Sequence, residues 1–224
     1  MKTLRNSILC FGTLLFAASL LQGQDLSKYH GFSLGASLAN VLKLSDQKLA
    51  DVKTIHARPM LIQELSWWPS SSSGASSRPD GVQQILFSFS NGELYKTSVT
   101  YERSSTEGLT AEDMVKSISA KCGPATNVES EADVAINKAY DQKQGPVASW
   151  QDSKYSLDLV RTPYSDRFGL VIYSRAANAA ANLGNAEALK LEEQQRPEKE
   201  ADEKKKEADA LEVAREKNQK SFHP

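Results

Sequence analysis

Gly35-Ala36-Ser37-Leu38-Ala39 approximates the sharp elbow on which a serine hydrolase exposes its nucleophile, and it lies just before a helical pattern. That chemistry needs an acid and a histidine base later in the chain, presented from a parallel sheet. The later histidines are His56 and His223, the second at the penultimate position of a charged tail. No alternating strand–helix series follows to build a parallel sheet. A small serine hydrolase using Ser37 is therefore the alternative reading, and the chain is expected not to be an enzyme. His30, His56 and His223 have no cysteine or histidine at ligand spacing. Structural zinc takes four such donors, so neither a metal nor a cofactor is expected. Glu112-Asp113 has the make-up of an acid–base pair. At the start of a helix, however, two carboxylates serve the dipole and the cap.

The pair Trp67-Trp68 points to binding instead. Neighbouring strand residues face opposite sides, so one ring is expected in the core and the other at the surface or under the serine-rich stretch that follows. Exposed tryptophan is enriched at binding hot spots. Trp67 and Trp68 are the candidate binding residues.

Several elements must position these groups. Leu38, Val41 and Leu42 share one helical face within residues 35–44. Ser45 and Asp46 are placed to cap a second short helix through Leu49 to Val52. After Arg58-Pro59 an extended segment, Met60 to Trp68, is stopped by Pro69. Residues 70–77 are nearly all serine, too small to bury anything, and read as a loop. Val82–Phe89 and Glu93–Tyr101 are β-rich runs around Ser90-Asn91-Gly92. A two-residue turn would pair Phe87 with Lys96. A three-residue loop pairs Phe87 with Tyr95 and Ile85 with Thr97, gathering Ile85, Phe87, Phe89, Tyr95, Val99 and Tyr101 on one face. Burial fixes register, so the three-residue loop is expected.

Thr110 is a natural N-cap, Asp113 completes a capping box, and Gly123-Pro124 ends the helix whose apolar stripe is Met114, Val115, Ile118 and Cys122. Cys122, in its last turn, reads as a small buried hydrophobe. A further short helix is expected around Val134 to Tyr140. Val147–Trp150, Tyr155–Arg161 and Phe168–Ser174 read as strands. Each half thus runs helix, then roughly three antiparallel strands, over residues 29–103 and 104–175. The fold class expected is α+β: an antiparallel sheet with helices packed on one face, arranged as a tandem helix-plus-three-strand repeat.

Phe32-Ser33-Leu34-Gly35-Ala36-Ser37 leading into a helix, and Cys122-Gly123-Pro124 before a strand meander, resemble small α+β modules of exported bacterial proteins. The BamE/SmpA outer-membrane assembly lipoproteins and the β-lactamase-inhibitor-like modules have this character, as do uncharacterised exported bacterial proteins with a charged C-terminal extension. The resemblance spans residues 29–175 and implies protein binding or envelope assembly without catalysis. The chain lacks the lipobox of the lipoprotein members.

The ends agree with export. Lys2 and Arg5 precede an apolar run from Ile8 to Leu21, and a polar exit follows, the pattern of a signal peptide cleaved near Gly23. The run is shorter than the ~20 residues a membrane span requires. Cleavage leaves Cys122 as the lone cysteine, so no internal disulfide is expected although the compartment allows one. A formal net charge of -1 excludes a nucleic-acid protein held by overall positive charge. Residues 176–224 turn abruptly to Ala, Glu, Lys and Gln. Glu200–Lys204 and Asp202–Lys206 are favourable helical pairs, while Pro197 is expected to break or kink the helix. The mature chain is expected to have no transmembrane segment, to reside in the periplasm or outside the cell, and to bind another envelope or exported protein.

Overall fold

The computed structural model describes residues 25–69, 81–128, 145–161 and 168–221. The expected leader, the serine-rich stretch, the helix around Val134 to Tyr140 and His223 lie outside them.

A two-residue hairpin, β1 (Lys28–Tyr29) and β2 (Phe32–Ser33), leads into α1 (Leu38–Ser45). Four strands follow: β3 (Val52–His56), β4 (Ile62–Trp67), β5 (Val82–Ser90) and β6 (Glu93–Tyr101). The short α2 (Arg103–Thr106) and then α3 (Ala111–Cys122) open the second half. Its strands are β7 (Asn127–Val128), β8 (Ala148–Gln151), β9 (Tyr155–Arg161) and β10 (Phe168–Ser174). The chain then enters α4 (Arg175–Ser221). All eight longer-range strands form one antiparallel sheet in the order β3-β4-β5-β6-β10-β9-β8-β7.

That order is one four-stranded meander joined to a second through their last strands, so each half is a helix plus four strands rather than three. The strands not foreseen are β3, where a helix was expected to run through Val52, and the two-residue β7. Around the pair Ser98–Val171 the two halves superpose by register. Outward from it, Val99 faces Ile85 and Ile85 faces Trp67. In the other half Ile172 faces Leu157, which faces Trp150. One step along, Leu65 pairs with Val52 and Ala148 with Val128. The tripeptides Leu65-Ser66-Trp67 and Ala148-Ser149-Trp150 therefore hold equivalent places.

One sheet face carries the main core. Leu65, Ile85, Phe87, Phe89, Leu159 and Trp150 are almost wholly buried there, with Val41 of α1 and Met114 of α3 against them. The Trp150 indole donates to the Gly123 carbonyl at 3.0 Å and to Ser119 Oγ at 3.3 Å, tying the end of α3 to β8. The Thr110–Asp113 capping box forms as expected: Thr110 N donates to Asp113 Oδ2 at 2.9 Å and Asp113 N to Thr110 Oγ1 at 3.2 Å. Those bonds from Thr110 hold the Asp113 carboxyl below its ordinary range. Ser45 does not cap a second helix. It ends α1, bonding back to the Val41 carbonyl, and a single 3-10 turn, Leu49–Asp51, follows.

The β5–β6 hairpin corrects the expected register. Its turn is the two-residue Asn91-Gly92, both at positive φ, with Ser90 facing Glu93 and Phe89 facing Leu94. The ladder then slips, so that Ser88 faces Lys96, Phe87 faces Thr97 and Ile85 faces Val99. Tyr95 is the bulged residue. It turns to the second face, whereas the expectation placed it with Phe87. The expected three-residue loop holds only where one face alone is buried. Here both Leu94 and Tyr95 are buried, because the second face is also covered at this end.

The cover is α4, so helices pack on both faces and the first turns of the charged tail belong to the domain. Ala181, with Ala177 beside it, packs on Tyr95 and Ile62. Gly184 lies against Met60, and His56 Nδ1 donates to Glu192 Oε1 at 3.0 Å. From β10 to β3 is four strand spacings, ~19 Å. Residues 175 to 188 of a helix rise ~20 Å. Thus α4 crosses one end of the sheet and leaves over the β3 edge, continuing as helix past Pro197 instead of ending there.

Two outcomes follow. A Cβ on Gly184 would lie 3.1 Å from Met60 Cβ. Gly184→Leu is therefore expected to cost ~1–3 kcal/mol in denaturant titration and to speed amide exchange in residues 176–192, leaving the sheet protected. Asp113, whose carboxyl is lowered on folding, stabilises at neutral pH, and that stabilisation is lost as pH falls through its folded-state value, below the usual carboxylate range. Asp113→Asn is expected to flatten this acid limb in melting curves taken against pH.

Candidate functional site

The second sheet face, beyond α4, bears two complete cross-strand rows. The row nearest the helix reads Lys53, Glu64, Ser88, Lys96, Tyr173, Ser156, Gln151 across seven strands. The next reads Ser66, Leu86, Ser98, Val171, Asp158, Ser149, Asn127. Gln84, Thr100, Gly169 and Val160 continue beyond them. Leu86, Ser98, Thr100, Val160 and Val171 are half-buried, and among the described residues no element lies over them.

This surface mixes serine and threonine hydroxyls, of which Ser88, Ser149 and Ser156 are buried, with amides, charged groups and the aliphatic Leu86, Val160 and Val171, because strand alternation sends most of the aromatic and large aliphatic residues to the core face. On it Asp158 accepts from Tyr173 Oη at 3.0 Å and from Ser156 Oγ at 3.1 Å, and Gln84 Nε2 donates to Ser66 Oγ at 3.4 Å. Burial first, with the Asp158 carboxylate also contributing, pushes the Tyr173 hydroxyl up. Tyr95 is raised likewise, by burial and then by Glu64. Both phenols stay neutral donors at physiological pH, suited to binding rather than to proton transfer.

The tryptophan pair divides as expected. Trp67, 8% exposed, meets Phe32 edge-on at 5.4 Å between centroids and stacks near Phe87 at 6.4 Å. It is a core residue. Trp68, the residue after β4, is 59% exposed.

The residues weighed for chemistry are spent on other bonds. Ser37 Oγ caps α1, accepting from Asn40 N at 3.3 Å, and Ser37 bridges to Glu93 on β6. His56 holds Glu192 of α4. Cys122 packs against the core, and burial raises its thiol. Among the described residues no group of three His, Cys, Asp or Glu is placed to hold a metal ion, and no helix is long and apolar enough to cross a membrane.

The sheet's open face, together with the Trp68–Ser77 region, is where specificity is expected from the sequence, but the residues of its rows are not individually foreseen. Their signal in the sequence is the alternation of β6, where Lys96, Ser98 and Thr100 oppose Thr97 and Val99. Reading it needed the register that the Tyr95 bulge alters.

No protein-family model, curated protein or solved structure matches the chain.

Acrylamide quenching checks the assignment of the tryptophans. Trp68→Phe is expected to remove the readily quenched part of the emission, and the remaining fluorescence, from Trp67 and Trp150, should be blue-shifted and protected. Equal quenching before and after the substitution would contradict it.

Proposed function

We propose that the protein is an exported, non-enzymatic binding or envelope-assembly module, periplasmic or extracellular, that holds another protein on the uncovered part of its sheet. The observation that carries this reading is the open face itself: two rows each seven strands wide, bearing hydroxyl, amide and charged groups, with half-buried Leu86 and Val171 among them and the exposed Trp68 just after β4. Side chains of this kind give adaptable hydrogen bonds with little rotamer entropy to lose, as in wet protein–protein interfaces. Trp68 supplies the aromatic anchor that such interfaces use as a hot spot.

The engagement of Ser37 as a helix cap and of His56 with Glu192 weighs against the serine-hydrolase alternative, which needs the two together. The resemblance to BamE/SmpA-like and β-lactamase-inhibitor-like modules, and the apolar run at the N-terminus, support export and binding.

Capture from an envelope extract by the immobilised mature chain tests the proposal. Leu86→Arg with Val171→Arg, and separately Trp68→Ala, are expected to release the captured protein. The melting temperature should hold, since all three side chains are at least partly solvated in the free chain. Retention of the same proteins by both variants would count against the open face.

A further inference from the structure

Past Glu192, α4 continues for 29 residues to Ser221, and from Lys199 onward every residue of it is exposed. At 1.5 Å per residue this arm is ~44 Å long, with Pro197 near its start. A helix so rich in charge holds itself together partly through pairs such as Glu200–Lys204 and Asp202–Lys206. Yet it also carries a local apolar group, Ala208, Ala210, Leu211, Val213 and Ala214, with Leu211 71% and Val213 68% exposed. Residues 211 and 213 lie about 200° apart around the helix, so no seam for a coiled coil exists. Ala208 and Leu211, three apart, do share one side.

Among the described residues, no strand pairs with the edge over which the arm departs. β3 closes one end of the sheet order, with Lys53 and Thr54 exposed. Antiparallel pairing of two β3 strands puts a two-fold axis perpendicular to the joined sheets. Both open faces then lie on the same side, and the α4 end of one sheet abuts the uncovered end of the other. An arm leaving the first sheet would continue across the part of the second that its own α4 leaves bare.

The lengths agree. From Glu192, Leu211 lies ~28 Å on, about six strand spacings, which places Ala208 over β10 and Leu211 over β9 of the other sheet. Those strands contribute Gly169 and Val171 (β10) and Val160 (β9) to the open face.

We infer that the occupant of the open face is a second copy of this chain, joined through β3 and reciprocally laying the Ala208–Leu211 side of its α4 arm across β10 and β9. This rests on the reading of the open face as a protein-binding surface and names its partner.

Sedimentation of the full mature chain over a dilution series tests it, together with a photo-crosslinker placed at Leu211 in a mixture of isotopically light and heavy chains. The expected result is a concentration-dependent dimer whose crosslinks join a light chain to a heavy one at β9 or β10. Leu211→Glu and Val171→Arg should each weaken it about tenfold or more, the loss of one buried aliphatic contact. Three results would overturn the inference: a monomer at every concentration, a dimer indifferent to both substitutions, or crosslinks confined to one chain. If the chain is monomeric while Val171→Arg still releases a captured envelope protein, the inference fails and the open-face reading stands. If Val171→Arg changes no association of any kind, both fail.

Discussion

The antiparallel pairing of β6 with β10 is the contact on which everything else depends. Five consecutive residue pairs, from Lys96–Tyr173 to Thr100–Gly169, join two meanders that would otherwise each be a four-stranded sheet with a single helix. Such a unit buries too little to be secure alone. Joined, the two halves share one core in which Phe87 and Ile85 continue into Leu170, Ile172, Leu157 and Leu159. The same seam makes the second face wide enough to be a surface rather than a strip.

A second constraint acts at one end of that seam. Tyr95 bulges out of the β5–β6 ladder, and adjacent Leu94 and Tyr95 are both buried, on opposite faces. Tyr95 then forms, with Ile62 and Met60, the platform for Ala177, Ala181 and Gly184. Small residues on the helix are required because α4 runs crosswise, close over the strands. The hydrogen bond between His56 and Glu192 lies where the helix reaches the last strand. Beyond it the sheet offers nothing to pack on, and the composition changes from Ala and Gly to alternating charge.

Much of this was legible in the residues. The punctuation of α3 by Thr110, Asp113 and Gly123 gave its limits, and the alternation of Tyr155 to Arg161 gave β9. The opposed fates of Trp67 and Trp68 followed from strand geometry alone. Three features were hidden for physical reasons. β3 carries Lys53 and Thr54 outward on an edge, so its apolar content resembles a short helix as much as a strand. The Tyr95 bulge cannot be seen without knowing that the second face is partly covered. That covering comes from a segment whose composition reads as a solvated tail, since Ala and Gly give helical packing no hydrophobic signature. The repeat of Ser-Trp at 66–67 and 149–150 was visible in the sequence, but it acquires meaning only once both pairs occupy the same register.

Native-state amide exchange probes the joined sheet most directly. If the two meanders are one cooperative unit, the amides of β6 and β10 around Ser98 and Val171 will be the slowest in the molecule, opening only with global unfolding, and those of β5 and β9 will follow them. Independent exchange of residues 52–101 and 148–174, with different free energies of opening, would show two separate sheets in contact and would contradict the account.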